Sequence, residues 1–345
     1  MARSMEALEG EALERVARWL EGHVEGLEGS PQVTQYAGGA SNWTYRLRYP
    51  NRDLVLRRPP SGTKAKSAHD MAREFRVQQA LRPAFPLVPR MVAFCDDPAV
   101  LGVDFYVMER LEGVILRGDS AGLGPDGNRA LSRSFVDTFA ALHAVDAKQI
   151  GLDGLSKGPG YARRQIDGWS DRYRRARTWN VPRFEGVMRW LDAHVPEDSG
   201  ACVLHNDFRF DNLVFDAADP TRVVGVLDWE MATVGDPLMD VGASLAYWVE
   251  AKDDFFGRRT RLQPTHLEGM FTRDEVKAAY CEASGRAVAD WTFYEVYGLF
   301  RLAGILQQIY YRYHHGQTRN PRFRNFWLIA HYMNWRCRRL IRRAR

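Results

Sequence analysis

The sequence predicts an α+β fold of two lobes, a small antiparallel-sheet N-lobe over residues 1–110 and a larger, mainly helical C-lobe over residues 111–345. Two observations predict it. Alternating apolar and polar residues, the period of a half-buried strand, recur in five segments before Arg110 with one helical segment inserted among them. After Arg110 the apolar spacing lengthens to that of helices, interrupted only by short strands between Ala201 and Trp229. A chain of 345 residues has the length for two such lobes.

The elements follow in order. Leu8, Leu13, Val16, Ala17, Leu20 and Val24 recur at helical spacing and predict an amphipathic N-terminal helix. "QVTQYAGGASNWTYRLRY" reads as two strands joined at a Gly38-Gly39 turn. "DLVLRRPP" is a third strand, stopped by Pro59-Pro60. "SGTKAKSAHD" is a polar loop, and "MAREFRVQQALR" is a helix ended by Pro83. "PRMVAFC" and "DFYVMERL" complete the five strands. In the C-lobe, "ALSRSFVDTFAALHAV" places Leu131, Phe135, Phe139 and Leu142 on one helical face. "YARRQIDGWSDRYRRA" and "FEGVMRWLDAHV" are further helices. "ACVL", "NLVF" and "VVGVLDW" are short strands, the last two a hairpin over "DAADPTR". Beyond Pro237 the chain reads as helical to its end. Tyr294, Tyr297, Phe300 and Leu302 lie on one helix and Phe326, Trp327 and Ile329 on another, as core packing.

Composition narrows the function classes. With 45% hydrophobic and 26% charged residues the chain is neither disordered nor fibrous. No apolar run approaches the roughly 18 residues of a membrane span, so no membrane partner is expected. The N-terminus has no signal-peptide core and is too acidic for a transit peptide; the expected location is the cytoplasm. Cys95, Cys202, Cys281 and Cys337 are widely spaced with no C-x-x-C pair, which reads as buried free thiols. The net charge of +5 is carried mostly by arginine, which suits phosphate and carboxylate ligands. It is spread along the chain apart from the tail "RCRRLIRRAR", a solvated helix end favoured by the helix dipole. Nucleic acid is therefore not the expected partner.

The stretch "HNDFRFDN" between two apolar strands carries the chemistry. Asp207 and Asn212 stand five apart, the spacing of a phosphotransfer catalytic loop. That reaction needs one carboxylate to orient an acceptor hydroxyl and take its proton. It also needs an amide oxygen to hold a hard cation against the phosphates. Mg²⁺ keeps much of its own water, so one amide and one carboxylate suffice. Asp228 offers the second carboxylate: it ends "VVGVLD" beside Trp229, where an unpaired charge is costly and a metal-bound one is not. It lies on the hairpin partner of the strand after Asn212. An Asx-rich turn and a capping Asp are the alternative readings of these two segments. In the N-lobe, the glycine-rich "GGASNWTY", with Gly38, Gly39, Ser41 and Asn42, lets backbone approach phosphates closely. Arg57 ends "LVLR" where a phosphate-binding cation would stand, and Glu74 is helical and placed to pair with it. Taken alone, this is a surface ion pair worth little.

Together "GGASNWTYRL", "LVLRRPP", "REFRVQQAL", "YVMERLEG", "LHNDFRFDNLVF" and "VLDWEMATVGDPLMDVG" resemble the aminoglycoside phosphotransferase family, whose fold is protein-kinase-like. The similarity is greatest to the branch with the N-terminal kinase-like domains of acyl-CoA dehydrogenase family members ten and eleven. It covers about residues 33–242; the helical remainder fits the family's acceptor-binding lobe less specifically. The resemblance implies ATP (or GTP) and Mg²⁺ as cofactors. It implies Asp207 as catalytic Asp, Asn212 and Asp228 as metal ligands, Arg57 in the phosphate-binding Lys position and Glu74 as its partner. The connector backbone at Glu109 and Leu111 would meet the adenine edge. His205, Asp236 and Asp240 come out as scaffold, and Asp211 as a turn or structural carboxylate. Two departures stand out. Arg57 replaces Lys, which keeps a two-pronged phosphate binder but alters its geometry and bears on turnover. Asn206 follows the motif His where many relatives have Gly, which bears on loop stiffness. The dehydrogenase part of the larger relatives is absent, so dehydrogenase activity is not expected.

The expected function is an ATP- and Mg²⁺-dependent phosphotransferase acting on a small-molecule hydroxyl. A polycationic aminoglycoside needs a carboxylate-rich pocket. From Tyr247 onward, and in "YARRQIDGWSDRYRRARTW", arginines outnumber acids and alternate with aromatics. That favours an anionic, partly apolar acceptor over an aminoglycoside or other small alcohol, and the resemblance to the acyl-CoA dehydrogenase branch implies a hydroxyacyl-CoA. A non-catalytic nucleotide-binding module is the alternative from another class. A protein kinase proper fits less, because H-R-D, D-F-G and A-P-E are absent. The oligomeric state is left open.

Overall fold

The computed structural model describes residues 7–36, 42–60, 70–118 and 122–344. The chain divides into two compact units, Ala2–Gly113 with Val224–Ala232, and Val114–Val223 with Thr233–Arg345. The excursion Val224–Ala232 thus belongs with the smaller unit, although it lies far downstream in sequence.

The smaller unit comprises α1 (Gly10–His23), β1 (Gln32–Gln35), β2 (Trp43–Arg48), β3 (Asp53–Arg58), α2 (Met71–Leu81), β4 (Met91–Cys95), α3 (Pro98–Leu101) and β5 (Phe105–Glu109). Its five strands form one antiparallel sheet in the order β1-β2-β3-β5-β4. The Gly38-Gly39 turn and most of the polar loop after Pro60 lie outside the described residues. The two-residue side-chain period gives the sheet two buried faces. Tyr45, Leu47, Leu54, Leu56, Phe105 and Val107 pack with Val16 and Leu20 of α1. On the other face Val55, Tyr106 and Met108 pack with Met71 and Phe75 of α2. Arg57 shares the face of Val55 and stands opposite Tyr106 in the β3–β5 register. Its side chain is therefore aimed at α2. Asp70 caps α2 by accepting from the Arg73 amide at 2.8 Å. The short α3 has too few residues to show a period, although Asp97-Pro98 is a helix-start signature.

The larger unit begins with α4 (Pro125–His143), α5 (Tyr161–Ala176) and α6 (Glu185–Ala193), the three predicted helices. Next come β6 (Cys202–Leu204), β7 (Leu213–Phe215) and β9 (Thr233–Gly235); β8 (Val223–Val226), between the last two in sequence, belongs from Val224 onward to the smaller unit. The Asp216 amide donates to the Arg222 carbonyl at 2.9 Å and closes the turn after β7. The unpredicted β9 pairs antiparallel with β6. Strand β8 ends at Val226, so Asp228 does not end the strand as expected. It sits two residues beyond, in a left-handed conformation with φ +67°.

Helices α7 (Pro237–Leu245), α8 (Phe255–Arg259), α9 (Arg273–Ser284), α10 (Thr292–His314) and α11 (Phe326–Arg343) complete the unit. Helices α7 and α10 cross at glycines. A Cβ on Gly298 would lie 1.9 Å from the Gly242 carbonyl oxygen, so only hydrogen fits there. Leu131, Phe135, Phe139 and Leu142 of α4 are all buried, as the periodicity requires. All four cysteines are free; Cys281 is only partly buried. Among the described residues no helix is long and apolar enough to cross a membrane.

Candidate active site

The loop between β6 and β7 is built by alternation. Phe208 and Phe210 point into the core. Phe208 stacks on Phe139 with centroids 4.1 Å apart, and Phe210 on Phe135 at 4.7 Å. Asp207, Arg209 and Asp211 are left on the partly exposed side. Two backbone bonds steady the anchors: the Phe210 amide donates to Gln263 Oε1 at 2.8 Å, and Ser244 Oγ donates to the Phe208 carbonyl at 2.8 Å.

Asp240, on α7 and fully buried, pins the start of the loop. Its two carboxylate oxygens accept the His205 amide at 2.7 Å and the Asn206 amide at 2.9 Å. His143 Nε2 lies 3.3 Å from the same group. Burial alone would raise the Asp240 carboxyl. The His143 hydrogen bond, the nearby imidazoles of His143 and His205 and the Asn206 amide outweigh burial and hold it below the usual range. Asn206 has φ +62°, a conformation that Gly or Asn adopts most readily. The Gly-to-Asn departure at this position is therefore a swap between two residues suited to one backbone shape. Asp236 caps α7 through the Leu238 amide and holds Ser199 at 2.6 and 2.9 Å. His205 Nδ1 accepts the Asp207 amide at 3.2 Å, a scaffold contact.

Asn212 Nδ2 donates to the Asp207 carbonyl at 2.8 Å and to Asp207 Oδ2 at 3.0 Å. Two acceptors on one side fix the amide, so Asn212 Oδ1 is the atom turned away from Asp207. An outward amide oxygen suits a hard cation. The other oxygen of Asp207 lies 3.0 Å from Arg209 Nε, and Arg209 Nη2 reaches Asp211 Oδ2 at 3.2 Å. The Arg209 guanidinium lies over the Tyr247 ring at 4.7 Å.

The smaller unit brings Arg57, Glu74, Asp228 and Asn42 into one network. Arg57 Nη1 binds Glu74 Oε1 at 2.8 Å and Nη2 binds Asp228 Oδ1 at 2.6 Å. Glu230 Oε2 lies 3.6 Å from the same Nη2 and accepts from Asn42 Nδ2 at 3.4 Å. The expected Arg57–Glu74 pair thus forms, and it is not the surface contact the two residues taken alone would suggest: the Glu74 side chain is 2% exposed and that of Arg57 11%. Tyr106 donates to Glu74 Oε1 at 2.8 Å, and Gln78 Nε2 to the Tyr106 hydroxyl at 3.4 Å. Burial pushes the Glu74 carboxyl above its ordinary range, and the Arg57 charge offsets this only in part. Both terminal nitrogens of Arg57 thus face carboxylates, and Nε has no hydrogen-bond partner among the described residues.

At the end of β5, the Glu109 amide donates to the Arg90 carbonyl at 2.9 Å, which leaves its carbonyl outside that bond. Leu111 fills the space over Gly225, where a Cβ would meet Leu111 Cδ1 at 2.1 Å. Gly38, Gly39 and Ser41 lie outside the described residues.

Sequence reasoning missed Arg209, Glu230 and Arg301. Arg301 is a buried cation within apolar α10; its Nη2 donates to the Asn206 carbonyl at 2.7 Å. A lone arginine among buried aromatics was the available signal. Among the described residues no cluster of three or more His, Cys, Asp or Glu forms a ready metal cage. A cation that keeps its waters and leans on substrate phosphates needs none.

The phosphotransferase enzyme family (APH) matches residues 32–294. Acyl-CoA dehydrogenase family member 10 of Mus musculus is 37% identical over 307 residues, which cover 87% of this chain and 28% of that protein. Acyl-CoA dehydrogenase family member 11 of Rattus norvegicus is 36% identical over 287 residues, covering 81% and 36% respectively. The chain therefore spans well under half the length of these curated relatives. Among solved structures, a candidate aminoglycoside phosphotransferase from Ralstonia eutropha JMP134 has a TM-score of 0.79 and 32% identity, covering 94% of this chain and 97% of that one. The α+β fold, with its five-stranded antiparallel sheet and helical remainder, is protein-kinase-like.

Proposed function

The chain belongs to the phosphotransferase enzyme family, and on that premise we propose that it is an ATP- and Mg²⁺-dependent kinase of a small-molecule hydroxyl. The observation that carries the reading is the Asn212 amide held on both the carbonyl and the carboxylate of Asp207. It leaves a carboxylate and an amide oxygen side by side on a loop pinned by Asp240. Asp207 would orient the acceptor hydroxyl and take its proton as the hydroxyl oxygen bonds to the γ-phosphorus and ADP leaves with the bridging oxygen. Asn212 and Asp228 would hold Mg²⁺, which would neutralise phosphate charge when bound. Arg57, kept on its face by Glu74, supplies a second positive charge. The Glu109 carbonyl and the Leu111 backbone meet the adenine edge, and Gly38, Gly39, Ser41 and Asn42 cover the phosphates. Residues 1–110 then serve as the nucleotide lobe and 111–345 as the catalytic and acceptor lobe. Catalysis rests on positioning and fixed charge.

The preferred acceptor is a hydroxyacyl-CoA-like anion. Two observations support it: the curated relatives are acyl-CoA dehydrogenase family members, and arginines outnumber acids in the C-terminal helices. The name of the Ralstonia eutropha structure favours an aminoglycoside instead. Arginine in the lysine position favours a nucleotide-binding module without turnover. One screen separates the three: labelled ATP with Mg²⁺ against hydroxyacyl-CoAs, aminoglycosides and small alcohols. Transfer to a hydroxyacyl-CoA, lost in Asp207→Ala, supports the preferred reading. Transfer to kanamycin overturns the acceptor, and nucleotide binding without transfer to anything overturns catalysis.

A further inference from the structure

The larger unit holds a cavity of about 320 Å³ between the ends of α7, α10 and α11, and no residue of the Asp207 loop lines it. That volume is at the low end for small-molecule sites. Its floor is apolar, from Leu245, Leu299 and Leu340. Arg336, Arg339 and Arg343 of α11 line one wall at helical spacing i, i+3 and i+7, which puts three guanidiniums on one stripe.

The acids of the cavity are already engaged. Asp253 takes both terminal nitrogens of Arg273, at 2.7 and 2.8 Å. Asp254 accepts the Gly257 amide and the Tyr332 hydroxyl, each at 2.9 Å. Glu295 faces Lys277 Nζ at 3.3 Å. Two of the three arginines have instead aromatic faces: Arg339 lies over the Trp335 ring at 5.3 Å and Arg336 over Tyr332 at 5.9 Å. Among the described residues none of the three makes an ion pair with a carboxylate. Stacking on a ring leaves the guanidinium edge and its N–H groups available. Trp335 is itself 43% exposed.

We infer that this cavity is an anion site for a small ligand bearing a phosphate or pyrophosphate group. Guanidinium forks match phosphate oxygens in pairs, the Trp335 ring offers a flat apolar face beside them, and the leucine floor excludes water behind. The site stands on its own geometry and is independent of the proposed phosphotransfer.

The test is titration calorimetry of the full chain with inorganic pyrophosphate in EDTA. Three proteins are compared: wild type, Arg339→Glu/Arg343→Glu, and the control Arg322→Glu/Arg324→Glu. Both pairs sit at exposed positions and change net charge equally, so bulk electrostatics are matched. Arg336→Gln provides a milder variant within the cavity. The expected result is binding that falls at least tenfold in Arg339→Glu/Arg343→Glu, severalfold in Arg336→Gln and less than twofold in the control. Equal losses in cavity and control variants, or no wild-type binding at millimolar pyrophosphate, would overturn the site.

Discussion

Arg57 Nη2 lies 2.6 Å from Asp228 Oδ1, so the proposed phosphate-binding cation holds the proposed metal-binding carboxylate directly. The other prong of the same guanidinium holds Glu74. If the proposed roles hold, Asp228 would be needed by the metal and the Arg57 nitrogen by a phosphate oxygen, so this contact would have to open for both to serve. Arg57→Met should destabilise the fold by about 3–5 kcal/mol, because it strands a buried carboxylate. Adding Glu74→Gln should restore much of that loss. Urea unfolding of the single and double variants measures both.

Asp228 is the more exposed partner, at 36%. Asp228→Asn should weaken Mg²⁺-dependent nucleotide binding at least tenfold while changing stability by no more than about 1 kcal/mol. A fluorescent nucleotide titrated with and without Mg²⁺ reads the first quantity. Unchanged affinity would remove Asp228 from the metal site.

Asp207→Asn keeps the shape of the side chain and removes the base. Loss of a positioned general base costs about 10²–10⁴-fold, so kcat should fall by that factor. The KM for nucleotide should hold, since Asp207 is assigned to the acceptor hydroxyl. Steady-state transfer from labelled ATP checks the split.

Asp240 gives a pH dependence of stability. Its folded carboxyl titrates below the unfolded value of about 3.9. Between those two values the unfolded chain binds more protons, so the stabilisation is complete above the unfolded value and lost as pH falls through the folded one. Asp240→Asn should cost about 1.5–3 kcal/mol at pH 7, the scale of hydrogen bonds to a charged group. The gap to wild type should narrow below about pH 4. Unfolding curves at pH 7, 5 and 3.5 would show this convergence, and a gap that stays constant would rule it out.

Gly298→Ala should lower stability by about 1–3 kcal/mol, because the added methyl meets backbone rather than a movable side chain. Gly186→Ala on α6 meets nothing within 4 Å and should be neutral or gain about 0.5–1 kcal/mol. Thermal melts should show a lowered midpoint for Gly298→Ala and an unchanged or raised one for Gly186→Ala.

Much of the fold was legible because its signals are local. Five strands, the helix inserted among them and the long C-terminal helices follow from period and from Pro or Gly punctuation. What escaped depends on distant partners. Strand β9 has three residues, and its ladder with β6 is invisible in "TVG". Asp228 was recognised, but not the turn that takes it past the strand end, since nothing in "VLDW" demands a left-handed residue. In the site, Asp207 and Asn212 were marked by spacing and Asp228 by its place after an apolar strand. The Arg57–Glu74 pair was expected, but its burial was not legible, because burial comes from Tyr106 and α2 and not from neighbours in sequence. Arg209 stood in plain view within "DFRFDN". Its tie to both aspartates emerges only when Phe208 and Phe210 turn inward and place the other three side chains on one edge.

The excursion Val224–Ala232 has a consequence for how this chain can be divided. A fragment cut after Gly113 would keep the whole five-stranded sheet. It would lack Asp228 and Glu230, so Arg57 would keep Glu74 alone, and the surface where Leu111 covers Gly225 would be laid bare. The sheet unit is therefore not a cassette that recombination can transplant by a single crossover. Any viable shuffling of this protein has to carry two separated stretches of coding sequence together.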